Sequence, residues 1–226
     1  MSRQLAILID PDKQLASTGR LVDLMSAAPP DCVLVGGSTG GASDNFVLWL
    51  KQRVKAPVFL FPGNPSQISQ QADGMLFLSL ISGRNSDLLI GKQVAAAPLL
   101  RGTSLNIVPT GYILIDGGRI SMVERVSQTR PIDRSDVDLV VNTAYAGQLL
   151  GMQAIYLEAG SGALIPVPAT LIQAVRSAVS CRLLVGGGIR TPREAVQAWE
   201  AGADTVVVGN VLEEHPELYP DFLRSR

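Results

Sequence analysis

Five short stretches of the chain combine carboxylates, hydroxyls and glycines in spacings that can handle phosphate. Asp10-Pro11-Asp12-Lys13 places two carboxylates and a cation within four residues. Such a group suits a divalent metal or an anion, although Asp-Pro also starts turns and helix caps. Gly36-Gly37-Ser38-Thr39-Gly40-Gly41 holds four glycines and two hydroxyls. Backbone N–H groups there can approach a phosphate and the hydroxyls can reach a metal; a plain flexible loop is the other reading. In Tyr156-Leu157-Glu158-Ala159-Gly160-Ser161-Gly162, strand alternation sets Tyr156 and Glu158 on one face. A buried carboxylate at that place is costly unless it is paired or used, and the Gly-Ser-Gly beyond it suits a phosphate-cradling turn. Gly186-Gly187-Gly188-Ile189-Arg190-Thr191-Pro192 and Gly209-Asn210 complete the set. A lone glycine triplet says little. Two such strand ends about twenty residues apart form the phosphate signature of the last two loops of a barrel.

Composition narrows the chemistry. The 226 residues contain one histidine, His215, beside Pro216, which argues against a Ser/His/Asp triad and a histidine-rich metal site. Cys32 and Cys181 lie far apart in apolar runs, so neither a disulfide framework nor a zinc pattern is indicated. Any metal is therefore held by oxygen, as magnesium is. A net charge of −1 argues against a nucleic-acid partner. The apolar stretch Leu5–Ile9 is too short for a signal segment, and no run reaches the ~18 apolar residues of a membrane span. A cytoplasmic location is expected. With 46% hydrophobic residues, residues 1–226 form one domain with a dense core. Mean hydropathy of +0.25 fits a parallel core, and equally an apolar ligand groove or a subunit interface.

The stretches must be positioned by regular elements. Continuous apolar runs at Leu5–Ile9, Cys32–Gly36, Val58–Phe61, Gly74–Leu78, Tyr112–Ile115, Ala154–Glu158, Leu183–Gly186 and Thr205–Val208 suggest strands buried on both faces. Helical spacing follows several of them, at Leu15–Ala28, Phe46–Val54 and Ala169–Val179. Thr191-Pro192-Arg193-Glu194 has the form of a capping box, and the helix it opens stops at Gly202. The tail from Glu213 reads as a final helix. Eight such units predict a (β/α)8 TIM barrel, an α/β fold; a doubly wound sheet is the alternative, weakened because no G-x-G-x-x-G follows the first strand. The stretch between Phe61 and Gly74 has two prolines and little periodicity, so a loop is expected where the helix after strand 3 belongs. Tyr112–Val123 is expected to form a hairpin turning at Asp116–Gly118.

Taken in order, LIDPDK, VGGS, FPGN, GYILIDGG, YLEAGSGA, GGGIRTP and VVVGN resemble the geranylgeranylglyceryl phosphate synthase family of prenyltransferases over essentially the whole chain. The resemblance implies a modified TIM barrel lacking one helix. It also implies ether formation between a prenyl group, geranylgeranyl or a longer chain, and the free primary hydroxyl of sn-glycerol 1-phosphate, with release of diphosphate. By this resemblance Asp10 and Ser38 hold Mg2+. Tyr156, Leu157, Glu158, Ala159, Gly160, Ser161, Gly162, Gly186, Gly187, Gly188, Gly209 and Asn210 hold the glycerol phosphate. Glu158 orients or deprotonates the hydroxyl, and Tyr156 is a mobile wall beside the prenyl chain. A homo-oligomer, dimer or hexamer, is implied, with Ala144–Met152 or Leu88–Leu100 as apolar interfaces, and transient membrane contact is expected as product leaves. Two departures matter. No DDxxD motif is present, and Leu8-Ile9 precede Asp10 where some relatives have a lysine. Lys13 has no assigned role, and Asp12 is at most a helper at the metal. Another phosphate-handling barrel, of the sugar-phosphate isomerase type, or a non-catalytic barrel that presents a lipid phosphate remains an alternative.

Overall fold

The Val-, Leu- and Ile-rich runs close into an eight-stranded parallel barrel in which each strand pairs with its neighbour in sequence. The computed structural model describes residues 3–13, 16–36, 43–64 and 67–226. The strands are β1 Gln4–Ile9, β2 Cys32–Val35, β3 Val58–Leu60, β4 Gly74–Leu80, β5 Asn106–Leu114, β6 Ala154–Glu158, β7 Arg182–Gly186 and β8 Thr205–Val208. Closure joins β8 to β1, with Gln4 opposite Thr205 and Ile7 opposite Val208. Parallel strands need crossovers, which helices supply at every step but β3–β4, with two more after β8: α1 Ala16–Ala27, α2 Asp44–Arg53, α3 Lys92–Leu100, α4 Met122–Ser127, α5 Val137–Leu149, α6 Ala169–Ala178, α7 Pro192–Glu200, α8 Asn210–Glu214 and α9 Tyr219–Ser225, among the described residues.

Strand alternation divides the apolar residues into two cores. Ala154 and Tyr156 of β6 point into the barrel with Ala6, Leu34, Leu184 and Val207. Ile155 and Leu157 point outward, into the larger core between sheet and helices. The capping box at α7 forms: Thr191 Oγ1 accepts from Glu194 N, and the Glu194 carboxylate accepts from Thr191 N. The chain leaves α7 through Gly202 at φ +111°.

The unit after β3 is shortened as expected. Among the described residues between Phe61 and Asp73 there is no α-helix. β3 itself is three residues long and pairs with β4 only at Phe59–Gly74 and Leu60–Met75. β4 runs on to Leu80 beside β5, so its upper half has no β3 partner. A π-helical turn, Asp87–Gly91, and α3 fold over that free edge. Gln93 Nε2 donates to Leu78 O, and Ser79 Oγ donates to Leu89 O.

The expected hairpin does not form. β5 begins earlier, at Asn106, and runs parallel to both neighbours. Asp116–Gly118 is a turn, with Gly118 N donating to Asp116 Oδ1 at 2.9 Å and Gly118 at φ +80°. The chain then enters α4, because Ser121 Oγ accepts from Glu124 N at 3.1 Å and caps that helix. The Ser-x-x-Glu signal outweighs the apolar residues around it, which lack strict alternation.

Candidate active site at the barrel mouth

Glu158 ends β6, and period-two alternation aims it into the barrel mouth above Tyr156. It is 6% exposed. Gly160 N donates to its Oε1 at 2.8 Å, so the turn following the strand grips the carboxylate. Burial raises the carboxyl pKa above the ordinary range; the nearby Tyr156 hydroxyl and the Gly160 N–H oppose that rise. Glu158 is therefore a stronger base than an exposed glutamate. The Tyr156 hydroxyl is itself buried and, among the described residues, has no partner at good hydrogen-bond geometry. Burial and the neighbouring carboxylate push its pKa up, which keeps the phenol neutral.

The turn after β7 closes against this carboxylate. A Cβ on Gly187 would lie 2.3 Å from Glu158 Oε1 and 2.7 Å from Gly160 N. Gly187 also sits at φ +79°. Both the space and the backbone angle therefore require glycine. Gly186 lies in β7 against Tyr156, and Gly188 packs on the Ile165–Pro166 backbone. Across the mouth, Asn210 Nδ2 donates to Ser161 Oγ at 3.1 Å, which binds the turn after β6 to the one after β8.

Most of the expected residues converge. Tyr156, Glu158, Gly160, Ser161, Gly162, Gly187, Gly188, Gly209, Asn210 and Asp10 all line one cavity of about 630 Å³. Gly186, within β7, is not among the lining residues, and neither are Leu157 and Ala159. Alternation turns the latter two into the core behind the sheet, so their side chains cannot reach a ligand in the mouth. Asp10 follows β1, and its Oδ1 accepts from Asp12 N at 3.1 Å. Asp12 is exposed on that turn. Ser38 lies outside the described residues. Among the described residues no three His, Cys, Asp or Glu side chains gather into a metal cage.

The cavity is polar at one end and apolar at the other. Phe61, Phe77, Leu78, Leu88, Ala96 and Val123 line the second part. This lobe borders the short β3 and the upper half of β4, which has no β3 partner. Phe61, Tyr112 and Tyr156 form its floor inside the barrel, with ring centroids 5.5–6.2 Å apart. Edge-on packing of this kind favours a fixed cluster.

Several cavity residues take contacts that the sequence does not assign them. Lys13 Nζ donates to Glu213 Oε2 at 2.9 Å and Asn210 Oδ1 at 3.2 Å, so it belongs to the mouth. Arg190 holds the loop after β6 by donating to Ala163 O and Leu164 O at 2.7 and 2.9 Å. Arg119 reaches Gly162 O at 3.4 Å. Lys13 belongs to the Asp10–Lys13 stretch that the sequence singles out, but its partners there are not legible. The two arginines carry no local signal, because their partners are backbone atoms of a distant loop.

The chain as a whole is similar to known proteins. The chain is 46% identical over 220 residues to a geranylgeranylglyceryl phosphate synthase of Spirosoma linguale, covering 96% of this chain and 88% of that protein. It is 40% identical over 215 residues to the protein of that name from Methanosphaera stadtmanae, covering 94% and 88%. It superposes on the (S)-3-O-geranylgeranylglyceryl phosphate synthase of Thermoplasma acidophilum, crystallised with its substrate sn-glycerol-1-phosphate. The TM-score is 0.91 at 32% identity, covering 99% of this chain and 93% of the other. The model of the PcrB family matches residues 2–225, nearly the whole chain, and the chain belongs to that family.

Proposed function

We propose that this chain is a prenyltransferase that joins a geranylgeranyl group to the free primary hydroxyl of sn-glycerol 1-phosphate. One observation carries the reading: a single cavity places a buried carboxylate and glycine turns at one end and an aromatic and aliphatic lobe at the other. A phosphate barrel acting on small sugars has no use for the second lobe. The names of the relatives and the glycerol phosphate in the Thermoplasma acidophilum structure support the same reaction.

The residues divide the work. Backbone N–H groups of the turns after β6, β7 and β8 receive the phosphate of sn-glycerol 1-phosphate, with Ser161 and Asn210 beside them. Glu158 accepts the proton of the attacking hydroxyl, a task suited to a carboxyl whose pKa is raised. The oxygen forms the new bond to the allylic carbon as the carbon–diphosphate bond breaks, and diphosphate leaves with the electron pair. The apolar lobe takes the tail, at about 0.8 kcal/mol per buried CH2, and excludes water from the reacting carbon.

Asp10 would hold Mg2+, with Ser38 as a further ligand. One carboxylate beside an open cavity fits magnesium, which keeps waters and takes most of its remaining ligands from substrate phosphates. When bound, the ion offsets the charge on the departing diphosphate.

A homo-oligomer, dimer or hexamer, is part of the proposal. It is supported by bulky apolar residues left exposed on α3 and around the end of α5: Val94 at 64%, Leu149 at 69% and Leu150 at 78%. A cytoplasmic location belongs to the same reading; among the described residues no helix is long and apolar enough to cross a membrane. Product would pass to a membrane by transient contact.

The decisive experiment incubates the protein with labelled sn-glycerol 1-phosphate and prenyl diphosphates of several lengths over a magnesium titration. The expected result is an organic-extractable phosphate product that requires magnesium and is formed fastest from geranylgeranyl diphosphate. No extractable product at any chain length would remove the reading.

A further inference from the structure

The proposed chemistry leaves one buried carboxylate of the mouth without a task. Glu213 in α8 lines the cavity, yet its side chain is only 3% exposed. Its Oε1 accepts from Asp10 N at 2.8 Å and its Oε2 from Lys13 Nζ at 2.9 Å. Lys13 Nζ also donates to Asn210 Oδ1 at 3.2 Å, and Asn210 Nδ2 donates to Ser161 Oγ at 3.1 Å. An unbroken line of hydrogen bonds therefore crosses the mouth, from the end of β1 through α8 to the turn after β6.

Barrel closure does not need a carboxylate there. The β1–β8 ladder is complete at Ile7–Val208. The ladder ends there, and the Asp10 N–H turns to the Glu213 carboxylate instead of a β8 carbonyl. Glu213 supplies the acceptor. Burying an ion pair at such a place contributes little to stability compared with an apolar pair of similar volume. What it supplies is fixed geometry, because each carboxylate oxygen has one charged or backbone donor.

We propose that Glu213 is a positioning residue. Through Asp10 and Lys13 it fixes the span between the strand end assigned to the diphosphate and the Ser161–Asn210 turn assigned to the glycerol phosphate. The inference rests on the two-substrate reading above. Transfer between two separately bound molecules depends on that span, since a misplacement of about 1 Å can cost on the order of 100-fold in rate. Glu213 acts through other residues and touches neither reacting atom.

The test compares the full-length chain with Glu213→Gln, Lys13→Met and the double variant. Turnover is measured at saturating substrates, the affinity for sn-glycerol 1-phosphate by calorimetry without metal, and Tm by calorimetric scanning. Each single variant is expected to lose roughly 10–100-fold in kcat. The double variant should be no worse than the poorer single one, because both changes break one line of contacts. The Kd for sn-glycerol 1-phosphate should stay within about threefold and Tm within a few degrees. Lys13→Arg, which can still bridge Glu213 and Asn210, should recover part of the loss. Unchanged kcat in both single variants would overturn the proposal. So would a Kd raised tenfold or more at normal kcat, since Lys13 would then be a direct phosphate ligand. If Glu213→Gln does not fold, Lys13→Met decides alone by the same readouts. A wild-type chain with no turnover would instead remove the two-substrate reading and, with it, this proposal.

Discussion

Between β6 and β8 the barrel mouth is made of tight turns whose backbone is pinned from several directions. Gly160 N holds Glu158, Gly187 fits under the same carboxylate, and Asn210 joins the turns through Ser161. Between β3 and β5 the mouth is made by leaving structure out. β3 stops after three residues, no α-helix follows it among the described residues, and the upper edge of β4 borders a cavity. The contrast follows from what each side has to bind. A phosphate is recognised by donors set to within a few tenths of an ångström, so its side needs rigid backbone. A long hydrocarbon needs volume and apolar walls without directional contacts, so its side can be built from side chains around a gap. Changes on the first side should therefore act steeply and through geometry. Changes on the second should act gradually and through size.

The steepest effect is expected at Glu158. Glu158→Gln should lower turnover at least ~100-fold, as loss of a general base does, while sn-glycerol 1-phosphate still binds. The same change should stabilise the protein at neutral pH. Burial raises the Glu158 pKa in the folded state, so folding favours the protonated form and ionisation costs stability. That cost is absent below the ordinary pKa of ~4.3. It grows as pH rises toward the raised value and is constant above it. Glu158→Gln should thus raise Tm at pH 7. It should give no gain at pH 4 or below. In the wild type the acid limb of kcat/KM should lie above the ordinary glutamate range. Scanning calorimetry and pH–rate profiles check both halves. A variant that is less stable at pH 7 would mean that the carboxylate is structural.

Next comes the backbone of the same side. Gly187→Ala forces a Cβ into the Glu158 carboxylate and a non-glycine residue into the left-handed region. The strain is worth about 1–3 kcal/mol. The Kd for sn-glycerol 1-phosphate should rise roughly 10–100-fold, as measured by calorimetry. Gly19→Ala is the control. Gly19 lies in α1, away from the mouth, and its Cβ would meet nothing within 4 Å, so a change within about twofold is expected. Equal losses at both positions would mean that the effect of Gly187→Ala does not come from its fit around Glu158.

The two sides also differ in how much of them the sequence makes legible. All eight strands are visible as apolar runs, and the phosphate turns are visible because glycine at a strand end has few other uses. Thr191 and Glu194 announce α7 through chemistry contained within four residues. The missing helix is legible as two prolines in a stretch without periodicity. The hairpin at Tyr112–Val123 is misread because a cap at Ser121 and apolar residues with no strict period compete locally, and the cap prevails. Leu157 and Ala159 are included among the site residues by adjacency in the chain, although alternation turns them away. The Lys13–Glu213 contact is beyond any local reading, since 200 residues separate the partners and only barrel closure brings them together. The walls of the apolar lobe are hidden for the same reason. They come from the residue after β3, from β4, the π-helical turn, α3 and α4, none of which carries a motif for a groove.

That lobe should respond to size alone. Ala96 of α3 is a small, buried residue that lines the cavity together with Phe61 and Leu88. Ala96→Phe adds a ring to that volume, at a cost of about 1–3 kcal/mol if the space must also hold a full-length tail. The expected outcome is a loss of about tenfold in kcat/KM with geranylgeranyl diphosphate and none with a ten-carbon prenyl diphosphate. The calorimetric Kd for sn-glycerol 1-phosphate should be unchanged. The ratio of the two kcat/KM values is the measurement that matters, since a general loss of folded protein lowers both together. A variant that lost glycerol phosphate binding as well would show that the aromatic floor of Phe61, Tyr112 and Tyr156 couples the two sides. In that case the gap after β3 would be part of the rigid frame that holds Glu158, and the division between a pinned side and an open one would fail at the floor that both sides share.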